Sequence, residues 1–396
     1  MNFILFDDNN RNHLLPFTFT RPVADIRIGI LTIREKWEKY LNAKTSTKTE
    51  HYLSKKYPTE FTIDTDNIWI NGSYCPNEKL IEEIKSLKPN EVLLDSTNVI
   101  AANSGNLKTR EMPFDIEFTK YESHAKAIHV ENTWDIFLKN GEAISADFEL
   151  LTTGRKSLAL SVTNQVIGAA SIFIEEGAKV ECAVLNASTG PIYIGKDAEI
   201  MEGSIIRGPF ALCEYSTLKL GAKIYGPTTI GPHCKVGGEV NNSVIFGFSN
   251  KAHDGFLGNS VLGEWCNIGA DTNNSNLKNN YAEVKLWNYE EESFVNTGLT
   301  FCGLIMGDHS KCGINTMFNT GTVVGVNSNI FGAGFPPNYI PSFSWGGAAG
   351  FTTYKLKEAF AVAARVYERR GLVFDETERK ILAHVFELTE KEQSGN

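Results

Sequence analysis

Between Ile194 and Asn241, aliphatic residues stand at every sixth position: Ile194, Ile200, Ile206, Leu212, Leu218, Ile224, Ile230 and Val236. Neither a helix nor an ordinary strand has that period. The residue four places after each aliphatic is usually small (Ala198, Ser204, Ser216, Ala222, Thr228, Cys234), with Phe210 and Val240 as larger exceptions. The pattern predicts a parallel β-helix of hexapeptide units, three to a coil, with the aliphatic pointing inward and the small residue in a tight corner. It begins at Ile174 and Val180, shifts by two residues at Asn241, Asn242 and Ser243, and continues at Phe256, Leu262 and Ile268. From Asn274 to about Ile305 the register is lost, and it returns at Met306, Cys312, Phe318, Val324 and Ile330. An insertion thrown out of a solenoid is a natural carrier of recognition side chains, although a tolerated surface loop would look the same.

Residues 1 to about 130 alternate between strand and helix patterns, which predicts a mostly parallel α/β sheet with its ligand site beyond the strands' carboxyl ends. Phe3 to Phe6, Ile68 to Ile70 and Val92 to Leu94 read as strands. Ile26, Ile30, Ile33, Trp37 and Leu41 read as one face of a helix capped by Asp25, and Leu80, Ile81, Ile84 and Leu87 as a second helix after Pro76. The resulting division is an α/β domain (1–130), a helical connector (131–160) in which Thr133 caps and Trp134 and Phe137 dock, a β-helix (161–345) with an inserted loop (274–305), and C-terminal helices (346–396). Those helices, with stripes at Leu356, Phe360 and Ala363 and at Ile381, Val385 and Leu388, are expected to cover the last coil's open edge. Arg369 and Arg370 read as a solvated helix end.

Composition narrows the partners. A net charge of −9 and a pI near 5.5 argue against a nucleic-acid surface. No apolar run approaches the ~18 residues of a membrane span, and the N-terminus matches no targeting segment. Seven cysteines without C-x-x-C spacing favour neither a disulfide framework nor a zinc site. A cytoplasmic setting, with no membrane partner and no structural metal, is the expectation.

The segments Lys251-Ala252-His253-Asp254-Gly255-Phe256-Leu257-Gly258-Asn259, Asn267-Ile268-Gly269-Ala270-Asp271-Thr272, Glu283-Val284-Lys285 and Met306-Gly307-Asp308-His309 resemble the acetyltransferase half of the bifunctional N-acetylglucosamine-1-phosphate uridyltransferase/glucosamine-1-phosphate N-acetyltransferase family. The resemblance implies a left-handed β-helix and a homotrimer. It also implies acetyl-CoA as donor and His253 as the general base that removes the amine proton, chemistry suited to an imidazole titrating near working pH. By the same resemblance, Asn267, Asn276, Lys285, Phe256, Lys251 and Arg207 bind substrate, Asn267 and Asn276 near the sugar and acetyl groups and Lys285 at the phosphate. Phe256 stands where many members have Tyr, Asn241 where they have a lysine, and Asp271 where they have a glycine.

The first domain is similar to sugar nucleotidylyltransferases in Leu14-Leu15-Pro16 and Thr20-Arg21-Pro22-Val23, but its phosphate loop is reduced to Asp7-Asp8-Asn9-Asn10-Arg11. Asn71-Gly72-Ser73 resembles a motif that ends in a metal-binding aspartate. The resemblance implies nucleotide contacts by Asp7, Arg11, Arg21, Asn71 and Ser73, with UTP or another nucleotide and Mg²⁺ weakly held unless Asp7 or Asp8 substitutes. Ordinary turn chemistry explains the same residue types. The expected activity is N-acetylation of an amino-sugar 1-phosphate beside a divergent nucleotidylyltransferase domain. Nucleotidyl transfer with the β-helix as scaffold, and a non-catalytic sugar-nucleotide-binding scaffold, are the alternatives.

Overall fold

The computed structural model describes residues 1–62, 65–106 and 118–390. It forms two compact units, Met1–Leu14 with Thr20–Ile26 and Leu31–Asn132, and Leu15–Phe19 with Arg27–Ile30 and Thr133–Asn396. Two short pieces of the first 30 residues, expected in the first domain, therefore belong to the second unit. Their contacts explain why: Phe17 packs on Phe246 with ring centroids 5.3 Å apart, and the Thr229 hydroxyl donates to the Gly29 carbonyl at 2.9 Å. Gly29 has φ +74°, and a Cβ there would lie 2.5 Å from the Asp147 carboxylate, so only glycine fits.

In the first unit the strands are β1 (Asn2–Phe6), β2 (Thr45–Lys48), β3 (Asn67–Asn71), β4 (Glu91–Asp95), β5 (Asn98–Asn103) and β6 (Thr119–Glu122), ordered β2-β1-β3-β5-β4-β6. The pairs β1/β2, β1/β3 and β4/β6 are parallel, whereas β5 runs antiparallel to both β3 and β4. The sheet is mixed because β4 and β5 form a hairpin. Helix α1 (Ile33–Leu41) starts later than its apolar spacing suggests. Thr32 and Glu35 close a capping box there, so Ile26 and Ile30 lie outside the helix, and Asp25 pairs with Arg34 at 2.6 Å in place of capping. Helix α2 (Glu78–Ser86) is capped by Asn77 and buries Leu80, Ile81 and Ile84.

The second unit opens with helices α3 (Asp135–Leu138) and α4 (Asn140–Thr152); Thr133 makes no cap for α3. A parallel β-helix follows, its short strands lying on three faces. Face 1 carries six strands from Gln165–Ile167 to Phe256–Gly258, and face 2 carries nine from Ile172–Ile174 to Tyr339–Ile340. Face 3 runs from Lys179–Val180 to Asn250–Lys251, and resumes through Asn267 and Lys311–Cys312. Inside, Ile194, Leu212, Ile230, Ile245 and Leu262 on face 2 join Ile200, Leu218 and Val236 on face 3 in one buried column of apolar side chains.

The coils shorten at a different place from the one the sequence pattern indicates. Val240 is not a corner residue; it is fully buried on face 1 between Ile224 and Leu257. The spacing drops to four positions between Val236 and Val240, so the main deletion falls at Gly237 and Gly238. One further residue is lost at Asn241 to Ser243, between Val240 and the inward Ile245. Likewise Leu257, not Phe256, is the inward residue of the next coil.

At the corner between faces 2 and 3, Tyr215, His233, Phe248, Trp265 and His309 all take φ between 57° and 63°. Successive rings stack at 4.9, 4.8, 4.2 and 6.2 Å. Helix α5 (Leu356–Glu368) docks on this ladder through Tyr367, whose ring lies 4.1 Å from that of Trp265, and it buries Ala359, Ala363 and Tyr367 rather than Leu356 and Phe360. Helix α6 (Glu376–Leu388), capped by Asp375, sets Phe386 edge-on to Phe343 at 5.0 Å. Leu388 stays half exposed. On face 3 the last parallel strand, Ser344–Gly347, is closed by the antiparallel strand Gly350–Thr353, so a hairpin and not a helix ends that sheet. Among the described residues no helix is long and apolar enough to cross a membrane.

Candidate functional site

His253 occupies the corner between faces 3 and 1, exposed, with no hydrogen bond or ion pair to its ring among the described residues. The recess around it, about 510 Å³, is lined by Lys219, Leu220, Gly237, Gly238, Ala252, Asp254, Ala270 and Asp271. The recess exists because the coil beneath has only Gly237 and Gly238 at this corner. Gly238 has φ +71°, and a Cβ there would sit 2.8 Å from the carbonyls of both His253 and Gly255. From inside the prism, the Lys251 ammonium donates to the same His253 carbonyl at 2.6 Å.

Lys251 itself corrects an expectation. It fills an inward position on face 3, between Val236 and Ile268, and is 1% exposed, so it supports the His253 loop and offers nothing to a substrate. Burial drives its ammonium down to about 8, against the pull of Asp254.

The other residues are dispersed. Phe256 and Asn276 meet over Gly258, where a Cβ would lie 2.4 Å from the Phe256 ring and 2.8 Å from the Asn276 amide. Asn276 donates to Asn259 at 2.8 Å. Arg207 is exposed on face 1, but three strands from Phe256, roughly 14 Å away at about 4.8 Å per strand, too far for one small substrate to bridge within the chain. Asn267 is exposed on face 3, between Asn250 and Lys311. Lys285, also exposed, begins a hairpin of Lys285–Asn288 with Ser293–Asn296, anchored by Trp287 stacked on Tyr339 at 4.1 Å.

In the first unit, the carboxyl ends of β1 and β3 do converge. Asp7 accepts from the Thr49 hydroxyl at 2.5 Å and the Val23 N–H at 2.8 Å, with Arg11 3.3 Å away. Burial raises its carboxyl to about 6, although Arg11 opposes the shift. Arg11 also donates to the Tyr52 hydroxyl at 3.1 Å. Asn71 donates to Asp8 at 2.7 Å and accepts from the Ser73 hydroxyl at 2.7 Å. Arg11, Arg21, Asn71 and Ser73 are all buried, so the fork expected to await a phosphate is held within the unit.

Sequence reasoning missed His129, which stacks on Tyr74 at 3.9 Å and sets Nε2 3.4 Å from the Asn10 amide. Lying more than a hundred residues downstream of Asn10, it carried no local signal. The aromatic ladder was also missed, because uneven coil lengths disguise its spacing.

Residues 3–156 match the sugar nucleotidyl transferase family model. The stretch includes the β1–β3 edge just described, so the nucleotidyl-transferase-like part of the chain carries that polar cluster. No curated protein matches the chain in sequence. Solved structures similar to it include two acyltransferases. The UDP-N-acetylglucosamine acyltransferase of Arabidopsis shares 15% identity over 59% of this chain and 94% of its own, with a TM-score of 0.25. That of Francisella novicida shares 11% over 57% and 88%, with a TM-score of 0.21.

Nucleotidyl transfer commonly relies on a divalent cation held by carboxylate oxygens. Among the described residues no group of three or more His, Cys, Asp and Glu is arranged to hold a metal. Asp7 is engaged by Arg11 and Thr49, and Asp8 by Asn71 and Asn10. Among the described residues, the donor set of the nucleotidyl-transferase-like unit does not fit a hard cation.

Proposed function

We propose that the β-helix unit transfers an acetyl group from acetyl-CoA to the amine of an amino-sugar 1-phosphate, glucosamine 1-phosphate by resemblance, with His253 as general base. The supporting observation is the His253 corner: an exposed imidazole without a competing partner among the described residues, in a recess cut by a two-glycine corner and braced from below by Lys251. As the amine nitrogen attacks the thioester carbonyl, the imidazole takes its proton; the C–N bond forms, the C–S bond breaks, and the thiolate leaves. Phe256 and Asn276 lie on the adjoining face, suited to the sugar.

The protein is proposed to work as a cytoplasmic homotrimer. Arg207 and Lys285 sit on other parts of the prism, and a neighbouring copy offers a way to unite them with a His253 site, whereas Asn267 shares a cleft with Ala252, the neighbour of His253. The match over residues 3–156 favours a second activity, slow nucleotidyl transfer to a sugar 1-phosphate, in the same nucleotide-sugar synthesis. Acetyl transfer from acetyl-CoA to glucosamine 1-phosphate tests the first reading. His253→Ala should lower it by about 10²- to 10⁴-fold with the fold retained, and a loss under tenfold would refute the assignment.

A further inference from the structure

Beside α5, on face 3, a cleft of about 630 Å³ is lined by Lys235, Lys311, Arg365, Arg369 and Arg370 over an aromatic floor that includes Trp265, and among the described residues no carboxylate lines it. Such a cluster runs against a chain of net charge −9. Arginines at a helix C-terminus are explained by the helix dipole alone. Lysines facing them from the sheet are not: like charges gathered around one cavity repel unless an anion occupies it. Lys311 is the most telling, since burial holds its ammonium down to about 8 while, among the described residues, its hydrogen bond goes to the neutral carbonyl of His309 at 2.6 Å. Arg370 is steered into the cleft by Asn250 at 3.3 Å. Arg365 and Arg369 are exposed one helical turn apart, so their guanidinium forks stand on the same side of α5. Ala252 lines both this cleft and the His253 recess, so the two are adjoining spaces around one residue.

We infer that this cleft binds the phosphate groups of the acyl donor, placing its pantetheine arm past Ala252 toward His253. The inference rests on the acyl-transfer reading above. It also gives Arg369 and Arg370 a ligand, where the sequence showed only a charged helix end.

The test is calorimetry on the full-length protein with coenzyme A, and with pantetheine as the phosphate-free probe. Arg365→Ala/Arg369→Ala should weaken coenzyme A at least tenfold and leave pantetheine within twofold, with an unchanged thermal midpoint. Coenzyme A affinity should also fall steeply with added salt. Lys235→Gln, on the sheet side, should weaken it in the same direction, which keeps the test decisive if the double variant does not fold. Coenzyme A binding within twofold of the parent in both variants would overturn the inference while leaving acyl transfer standing. Arginine-dependent coenzyme A binding in a protein whose acetyl transfer does not respond to His253→Ala would support the cleft and sink the catalytic reading. A parent that binds no coenzyme A would overturn both.

Discussion

Lys251→Met separates the two effects of a buried ammonium beneath the candidate base. A lysine lowered from 10.5 to about 8 by burial destabilises the fold at neutral pH by roughly 3 kcal/mol, at about 1.4 kcal/mol per pH unit. The sign follows from proton counting: between about pH 8 and 10.5 the unfolded chain holds the proton and the folded chain does not, so stability rises with pH across that window. Methionine removes this destabilisation and keeps most of the volume between Val236 and Ile268. It also deletes the hydrogen bond to the His253 carbonyl, which costs about 1.5–3 kcal/mol for a charged donor. The two nearly cancel. The variant should therefore stay within about 1–2 kcal/mol of the parent at pH 7 in urea unfolding, lose the rise in stability between pH 8 and 10.5, and still transfer acetyl groups at least tenfold more slowly, because the corner holding His253 has lost its brace. Unimpaired turnover with the stability shifts as described would show that Gly237 and Gly238 alone fix the corner. A loss of several kcal/mol at pH 7 would show that the ammonium is stabilising in place.

Gly238→Ala should cost about 1–2 kcal/mol for a side chain at φ +71° and, by pressing on the His253 carbonyl, lower acetyl transfer more than it lowers the melting temperature; equal activity in a folded variant would refute the close packing. His309→Ala should destabilise by about 1–3 kcal/mol in urea titrations with acetyl transfer kept, since His309 is buried in the ladder beside Trp265 and Tyr367. Asp7 has its carboxyl raised to about 6, so its stabilising contribution is full below pH 4 and disappears as pH climbs through 6, roughly 3 kcal/mol in all. The stability difference between the parent and Asp7→Asn should trace that window, and a flat difference would refute it. Lys285→Ala should raise the Michaelis constant for the sugar phosphate more than that for acetyl-CoA, and an unchanged sugar constant would remove Lys285 from the site.

The six-residue period revealed the prism because each inward aliphatic is a local fact, repeated on every coil. What it did not reveal are features fixed by neighbouring coils. Val240 resembles an oversized corner residue until its partners Ile224 and Leu257 are seen, and the missing residues then fall at Gly237 and Gly238, under His253. Lys251 reads as a surface ligand because lysine is so seldom buried, yet it takes an aliphatic's place. Ile26 and Ile30 continue the spacing of α1 but lie outside it, since Thr32 caps the helix and Gly29 needs a positive φ. In the nucleotidyl-transferase-like unit β1, β3 and β4 were legible from their apolar runs, whereas β2, β5 and β6 were not: β2 and β6 are polar, and β5 is a short run that turns back on β4, a direction that leaves no mark in the sequence.

The arrangement of the β-helix unit ties its irregularities to one corner. A regular coil would have filled the space at Gly237 and Gly238 with four corner residues, as Lys219, Leu220, Gly221 and Ala222 fill it one coil earlier, and no recess would open beside His253. A regular face 3 would have put an aliphatic at residue 251, and the His253 carbonyl would lack its buried donor. Both departures weaken the prism, one by removing side chains and the other by burying a charge, and both act on the same loop. On the proposed acyl-transfer reading, stability sacrificed at these two neighbouring positions serves the exposed imidazole on which they converge. A scaffold reading would instead require Gly238→Ala and Lys251→Met to change stability alone, with no substrate or donor responding to either.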